Sequence, residues 1–253
     1  MINFFSPSTN RKKRKKMSDI NVMRHVTKDI TNEAVTEYLT GFYEPLTEEL
    51  GGLREAAEAE PVPIILRETE SFLSTFMDII RPEKVLEIGT AIGYSAMFFA
   101  EKICQHFDPE EPCVFTIEKD EETYERAKAE IRNLRYDKFI NCYNGDGEIC
   151  IDEILKEDDS VRFDLVFIDA AKSHYKRFLE ASLRVLSDDG VIICDDTLFQ
   201  GRPALEGEIP PRKHRTNTLA LREFNEFVMT DPRFSSTHTA IGNGLTIIKP
   251  KKR

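Results

Sequence analysis

The sequence predicts an α/β protein: a mostly parallel sheet with helices on both faces and an antiparallel hairpin at its C-terminal end. Three observations carry that expectation. Short apolar runs alternate with amphipathic stretches from Lys84 to Met229, the pattern of repeated β–α units. One run, Phe163 to Ile168 (FDLVFI), is apolar on both faces, as a strand buried inside a parallel sheet is. Finally, Ser236 to Ile241 and Leu245 to Lys249 flank Gly242-Asn243-Gly244, which reads as a hairpin turn.

In chain order, Thr31 to Phe42 and Leu46 to Glu60 read as helices, the second broken or hinged at Gly51-Gly52. Pro61-Val62-Pro63 interrupts any helix. Arg67 to Ile80 resumes with Phe72, Leu73, Phe76, Met77 and Ile80 on one stripe, and Pro82 ends it. The strands are then Lys84 to Ile88, Cys113 to Ile117, Phe139 to Tyr143, Phe163 to Ile168 and Gly190 to Cys194. Helices are expected at Tyr94 to Phe107, Asp120 to Leu134, Tyr175 to Leu186 and Thr216 to Met229. A mobile, Pro- and Arg-rich segment is expected from Gly201 to Arg215. One domain over 28–253, with a helical extension at 28–80, accounts for the pattern, preceded by a disordered basic arm at 1–27.

The 253 residues carry 35 basic and 45 acidic side chains, a net charge of −10. Arg11 to Lys16 holds six positive charges and the tail Lys249, Lys251, Lys252, Arg253 four, so the body between them is far more acidic than the total. Such a body repels polyphosphate, and any nucleic-acid contact must rest on local basic patches. No apolar run approaches the ~20 residues that span a bilayer, which excludes a transmembrane helix. The basic block follows the short apolar start instead of preceding it, against a secretory signal. Met17 is followed by Ser18-Asp19, so residues 1–16 read as an upstream start or an arm. Five cysteines without a C-x-x-C pair argue against zinc and disulfides and for the cytoplasm.

Chemistry gathers at the expected strand ends, where ligands bind in such sheets. Glu87-Ile88-Gly89-Thr90-Ala91-Ile92-Gly93 is E-x-G-x-x-x-G, not the G-x-G-x-x-G of dinucleotide sites. Its acid disfavours a pyrophosphate and suits a cationic ligand such as a sulfonium amino acid. Glu118 ends the next strand and reads either as a ribose ligand or as charge at a helix N-terminus. Asn144-Gly145-Asp146-Gly147 is a turn or the rim of an adenine pocket. Asp169 and the pair Asp195-Asp196 end two successive strands. Three carboxylates there repel one another unless a cation such as Mg²⁺ lies between them, although aspartates also cap turns. Lys172 is a surface charge or a general base at the same rim.

Together, VLEIGTAIGYSA (85–96), TIEKDE (116–121), GDG (145–147), FIDAAKSHY (167–175), DDTLFQG (195–201) and IGNGLTIIK (241–249) resemble the cation-dependent O-methyltransferases related to catechol and caffeoyl-CoA O-methyltransferases. Within that family the chain looks most like the bacterial tRNA 5-hydroxyuridine methyltransferases. The resemblance implies a class I methyltransferase fold with a seven-stranded sheet binding S-adenosylmethionine, and a homodimer. It implies that Ile65 packs on the cofactor, that Glu87, Gly89 and Ser95 meet its methionine part, and that Glu118 holds the ribose and Gly147 the adenine edge. By the same resemblance Asp169, which also borders the cofactor, binds Mg²⁺ with Asp195 and Asp196, and Lys172 is the base. The family usually reads Asp-Asn where this chain has Asp195-Asp196. The acceptor is then tRNA, in its anticodon region, with Arg202, Arg212, Lys213, His214 and Arg215 gripping phosphates, or a small vicinal diol such as a catechol. A non-catalytic cofactor-binding or RNA-scaffolding protein leaves the three aspartates and Lys172 without a purpose.

Overall fold

The computed structural model describes residues 32–60, 62–205 and 210–252. The expectations for 1–16 and 1–27 lie outside them. Among the described residues three helices come first: α1 (Glu33–Thr40), α2 (Glu48–Ala59) and α3 (Arg67–Ile80). The alternating part follows as β1 (Val85–Ile88), α4 (Tyr94–Cys104), β2 (Val114–Glu118), α5 (Glu121–Asn133), β3 (Ile140–Asn144), α6 (Gly147–Glu157), β4 (Phe163–Ile168), α7 (Tyr175–Ser182) and β5 (Leu186–Cys194). The chain closes with α8 (Arg215–Thr230), β6 (Phe234–Thr239) and β7 (Leu245–Pro250).

The seven strands form one sheet in the order β3-β2-β1-β4-β5-β7-β6. β1 to β5 pair in parallel, and β7 runs antiparallel to both β5 and β6. The expected parallel sheet with a closing hairpin is what forms. The order reverses between β1 and β4, so the carboxyl ends of both strands open onto one crevice. Apolar side chains cover both faces. On one, Leu73 and Met77 of α3 pack with Val85, Phe98, Phe99 and Phe167. On the other, Ile151 and Ile154 of α6 pack with Leu86, Val166 and Ile168. The helical extension therefore shares its core with the sheet.

Four local expectations are corrected. α2 runs unbroken through Gly51-Gly52, and Gly51 lies so close to Pro45 that a Cβ there would come 3.0 Å from its ring. α6 was not expected, since Asn-Gly-Asp-Gly reads as a turn. Asp146 is in fact its N-cap, accepting from the Glu148 N–H at 3.3 Å, with Cys150, Ile151 and Ile154 buried along one side. β5 begins at Leu186 and not Gly190, and α7 stops at Ser182. Its ladder to β4 jumps from Phe163↔Leu186 to Leu165↔Val191, so the acidic Asp188-Asp189 bulges out. In the Gly201 to Arg215 segment, 206–209 lie outside the described residues. The part before them is tied down by Arg222, which donates to the carbonyl oxygens of Pro203 at 3.0 Å and Leu205 at 2.5 Å.

Candidate active site

The carboxyl ends of β1, β2, β3 and β4 surround a cavity of about 690 Å³. Ile65, Gly89, Ser95, Glu118, Gly147, Asp169 and Lys172, seven of the residues expected at the site, line it. Glu87, Asp195 and Asp196 are not on its wall.

Glu87 lies in the interior instead, fully buried on β1. Its Oε2 accepts from the Thr116 hydroxyl at 2.5 Å, and that hydroxyl also meets Thr90 Oγ1 at 2.5 Å. Its Oε1 is buried with no partner among the described residues. Burial pushes the carboxyl up to about 7 against the Ser95 and Thr116 hydroxyls, and the charges of Asp169 and Glu118 add to the rise. An unsatisfied buried acceptor is costly. It is a ready partner for an ammonium group reaching the end of β1, so this corner fits the amino-acid end of S-adenosylmethionine. Thr116 was missed in the sequence; its only signal is its place opposite Glu87 in the β1–β2 register.

At two glycines the cavity wall packs too closely on itself to admit a side chain. Gly89 has φ +107°, and a Cβ on it would meet the Asp169 carbonyl oxygen at 2.0 Å. At Gly147, the first residue of α6, a Cβ would lie 2.9 Å from Ile88 and 3.0 Å from Phe178. Between these turns Glu118 is held by two backbone N–H groups, Ala91 to Oε2 at 3.1 Å and Asp120 to Oε1 at 3.0 Å. The helix-terminus role belongs to Asp120, whose Oδ1 caps α5 through the Thr123 N–H. Glu118 is thereby fixed at the cavity rim. Phe178 had no sequence signal and reaches the cavity wall only once α7 packs against β4, whereas His174, also on the wall, stands within the FIDAAKSHY stretch.

The other corner is acidic. Lys172 Nζ lies 2.8 Å from Asp169 Oδ1 and 3.1 Å from Asp196 Oδ2, with its side chain 12 % exposed. Burial lowers the lysine pKa, but Tyr175, Asp169 and Asp196 outweigh it and hold the ammonium well above its ordinary value. Asp195 accepts from the Asp196 N–H at 2.6 Å, and its carbonyl oxygen accepts from the buried Tyr175 hydroxyl at 2.7 Å. Burial, followed by the Asp169 charge, holds the Asp195 carboxyl well above the usual carboxylate range. Asp196, at φ +57°, has a buried Oδ1 with no partner among the described residues. Among those residues no three His, Cys, Asp or Glu side chains converge as a finished ion site. The lysine ammonium instead bridges two of the three aspartates. The unpaired Asp196 oxygen, the charge crowding at Asp195 and an all-oxygen donor set fit a hard divalent cation.

On the outer side, Phe199 packs edge-on against His214, with Arg202 over its ring at 5.7 Å. Arg212, Lys213 and Arg215 are exposed. No helix among the described residues is long and apolar enough to cross a membrane.

Comparison with known proteins agrees with this geometry. The sequence profile of the O-methyltransferase family matches residues 43–251. The caffeoyl-CoA O-methyltransferase of Populus kitakamiensis is 29% identical over 231 residues, covering 87% of this chain and 94% of that protein. The flavonoid 3',5'-methyltransferase of Vitis vinifera is 27% identical over 233 residues, covering 87% and 95%. A Staphylococcus aureus structure assigned as a caffeoyl-CoA O-methyltransferase superposes with TM-score 0.76 at 27% identity, covering 87% of this chain and all of that one. A Podospora anserina methyltransferase bound to S-adenosylhomocysteine shares the fold at TM-score 0.74 and 23% identity, covering 88% and 97%. With its sheet order, its cavity at the strand ends and a profile match over most of its length, the chain belongs to the O-methyltransferase family, the S-adenosylmethionine-dependent enzymes that include its caffeoyl-CoA O-methyltransferase-like relatives.

Proposed function

We propose that this protein uses S-adenosylmethionine and a divalent cation to methylate one of two vicinal oxygens on a small aromatic ring. The observation that carries the reading is Asp169, which borders the large cavity and also contacts Lys172 beside Asp196. Donor pocket and acceptor corner meet at that one side chain. The plant relatives named for caffeoyl-CoA and flavonoid methylation favour small phenols as acceptors.

In this reading Glu87 binds the ammonium of the cofactor, Glu118 its ribose, and Ile65 and Gly147 flank its nonpolar surfaces. The cofactor supplies an electrophilic methyl group on sulfur. Asp169, Asp195 and Asp196 hold the cation, which supplies positive charge that eases ionisation of a neighbouring hydroxyl. Lys172 Nζ then serves as proton acceptor. Its ammonium is stabilised by the same carboxylates that a cation would occupy. Displaced from them, it loses its charge partners and gives up its proton more readily.

A second reading, methylation of 5-hydroxyuridine in tRNA, is favoured by the exposed Arg212, Lys213 and Arg215 in the stretch between β5 and α8 and at the start of that helix, and by the motif resemblance. That resemblance also implies a homodimer, which light scattering checks. Purified protein is incubated with S-adenosylmethionine and either a catechol or tRNA carrying 5-hydroxyuridine, with Mg²⁺ or with EDTA. Mg²⁺-dependent methylation of the catechol supports the first reading. Product only on tRNA moves the assignment to the second, and EDTA-insensitive turnover removes the cation.

A further inference from the structure

Arg54 stands on α2, outside the chemistry just described. It is 2 % exposed, as is Glu70 on α3. A charge this deeply buried is costly unless it is paired and its donors are satisfied. The guanidinium is ion-paired with Glu70. It also donates from Nε to the Tyr94 hydroxyl at 3.2 Å, from Nη1 to Glu58 at 3.2 Å and from Nη2 to the Ile65 carbonyl oxygen at 3.0 Å. Its carbon centre lies over two rings, 5.1 Å from the Tyr43 centroid and 4.6 Å from that of Tyr94. Both tyrosine hydroxyls donate to Glu70, Tyr43 at 3.0 Å and Tyr94 at 2.8 Å.

A fold needing only stability at this place is served as well by packed apolar side chains, since buried ion pairs seldom contribute net stability. What the cluster does achieve is geometric. Ile65 and Tyr94 both stand in the cavity wall, one on the irregular segment 62–66 between α2 and α3, the other at the start of α4. That segment has few ties of its own: the Val62 N–H donates to Ala57, and the Leu66 carbonyl oxygen accepts from Glu70. Between these ends only the Arg54 bond grips the Ile65 carbonyl among the described residues.

We propose that Arg54 is a positioning residue for cofactor binding, holding the Ile65 lip at a fixed distance from Tyr94 and the glycine turn before it. The proposal rests on the reading that the large cavity takes S-adenosylmethionine. A lip ordered in advance spares the ligand the cost of ordering it, so losing the clamp weakens binding and leaves the chemical step alone. Arg54 touches neither the acidic corner nor Lys172.

The test is calorimetric titration of wild type, Arg54→Lys and Tyr43→Phe with S-adenosylhomocysteine, alongside steady-state kinetics and melting temperatures. Arg54→Lys keeps the charge and loses the fork. It is expected to raise the dissociation constant and the KM for S-adenosylmethionine about tenfold, with kcat at saturating cofactor and KM for the acceptor within about twofold. Tyr43→Phe removes one hydroxyl from the cluster and is expected to give a smaller loss, about threefold. It carries the test alone if Arg54→Lys does not fold. Unchanged affinity with a lowered melting temperature makes the cluster a stability element only and overturns the proposal, as does a fall confined to kcat. A wild type that takes up no S-adenosylhomocysteine overturns the cavity reading and this proposal together. Binding by wild type with equal binding by the variants overturns this proposal only.

Discussion

Gly89 and Asp169 touch through their backbones: a single added carbon on Gly89 would come 2.0 Å from the Asp169 carbonyl oxygen. One backbone hydrogen bond holds this approach, from the Asp169 N–H to the Ile88 carbonyl oxygen at 2.9 Å, while the Gly89 N–H ties the turn to the Ile117 carbonyl oxygen of β2 on the other side, also at 2.9 Å. The turn after β1 and the end of β4 therefore cannot shift independently. The glycine turn after β1 and the Asp169 corner are thus joined through their backbones.

The first prediction follows from that contact. Gly89→Ala has both a positive φ to accommodate and a backbone clash, so it is expected to destabilise the fold by about 1–3 kcal/mol or more. It should also abolish S-adenosylhomocysteine binding. Thermal denaturation and calorimetry check this, and a variant matching wild type in both would show that the two strand ends move freely.

Glu118→Ala removes a carboxylate held by two backbone N–H groups at the cavity rim. Loss of charge-assisted hydrogen bonds to a ribose is expected to weaken S-adenosylhomocysteine binding by about 1.5–3 kcal/mol, roughly tenfold to a hundredfold. Unaltered calorimetric affinity would take Glu118 out of the site.

Glu87 makes the empty protein sensitive to pH in a defined direction. Its native carboxyl keeps its proton up to about 7, whereas an unfolded one loses it near 4.5. Between those values the native state binds more protons, so this group's stabilisation is complete below 4.5 and is lost as pH rises through about 7. Glu87→Gln is expected to remove that part of the slope in melting temperature against pH. Binding of the cofactor's ammonium favours the carboxylate, so wild-type S-adenosylhomocysteine affinity should rise from pH 6 to 8 more steeply than in Glu87→Gln. Parallel profiles would mean that Glu87 does not meet the ammonium.

Much of this was readable in the sequence, for reasons that differ by residue. The β1 and β4 ends were legible because strand, glycine and acid are contiguous there, as in VLEIG and FIDAAK. The sheet was legible from its periodicity. α6 was not, because Asp146 followed by glycine satisfies turn chemistry and helix capping equally well. Thr116, Phe178 and the Arg54 cluster were invisible for another reason. They enter the site across sequence distances set by packing; Arg54 and Tyr94 are 40 residues apart. Charge at Asp195-Asp196 was visible, but not that Lys172 would bridge Asp169 and Asp196.

Lys172→Met removes the proposed proton acceptor and the ammonium that bridges two carboxylates. Turnover should fall by about a hundredfold or more while S-adenosylhomocysteine affinity stays within a few-fold, since a base acts on the chemical step. Single-turnover methyl transfer across pH, at saturating Mg²⁺, is the measurement. An unchanged rate at every pH would make Lys172 a charge partner only.

The last prediction concerns Asp196, the second of the two carboxylates that follow β5. Its Oδ2 lies 3.1 Å from Lys172, and its Oδ1 is buried without a partner among the described residues. Asp196→Asn removes one negative charge from the corner, with two effects of opposite use to the enzyme. A hard cation loses an anionic ligand, so half-maximal activity should require more Mg²⁺, by about tenfold in a partly buried site. The Lys172 ammonium, which Asp196 helps hold above its ordinary pKa, loses a supporting charge and deprotonates more easily. The acid limb of the kcat profile should therefore move to lower pH, with turnover at saturating Mg²⁺ kept or raised. Titrating Mg²⁺ by calorimetry separates the first effect from the second, because it needs no turnover. Tighter Mg²⁺ binding together with lost turnover would mean that Asp196 orients a neighbouring ligand and does not itself hold the ion.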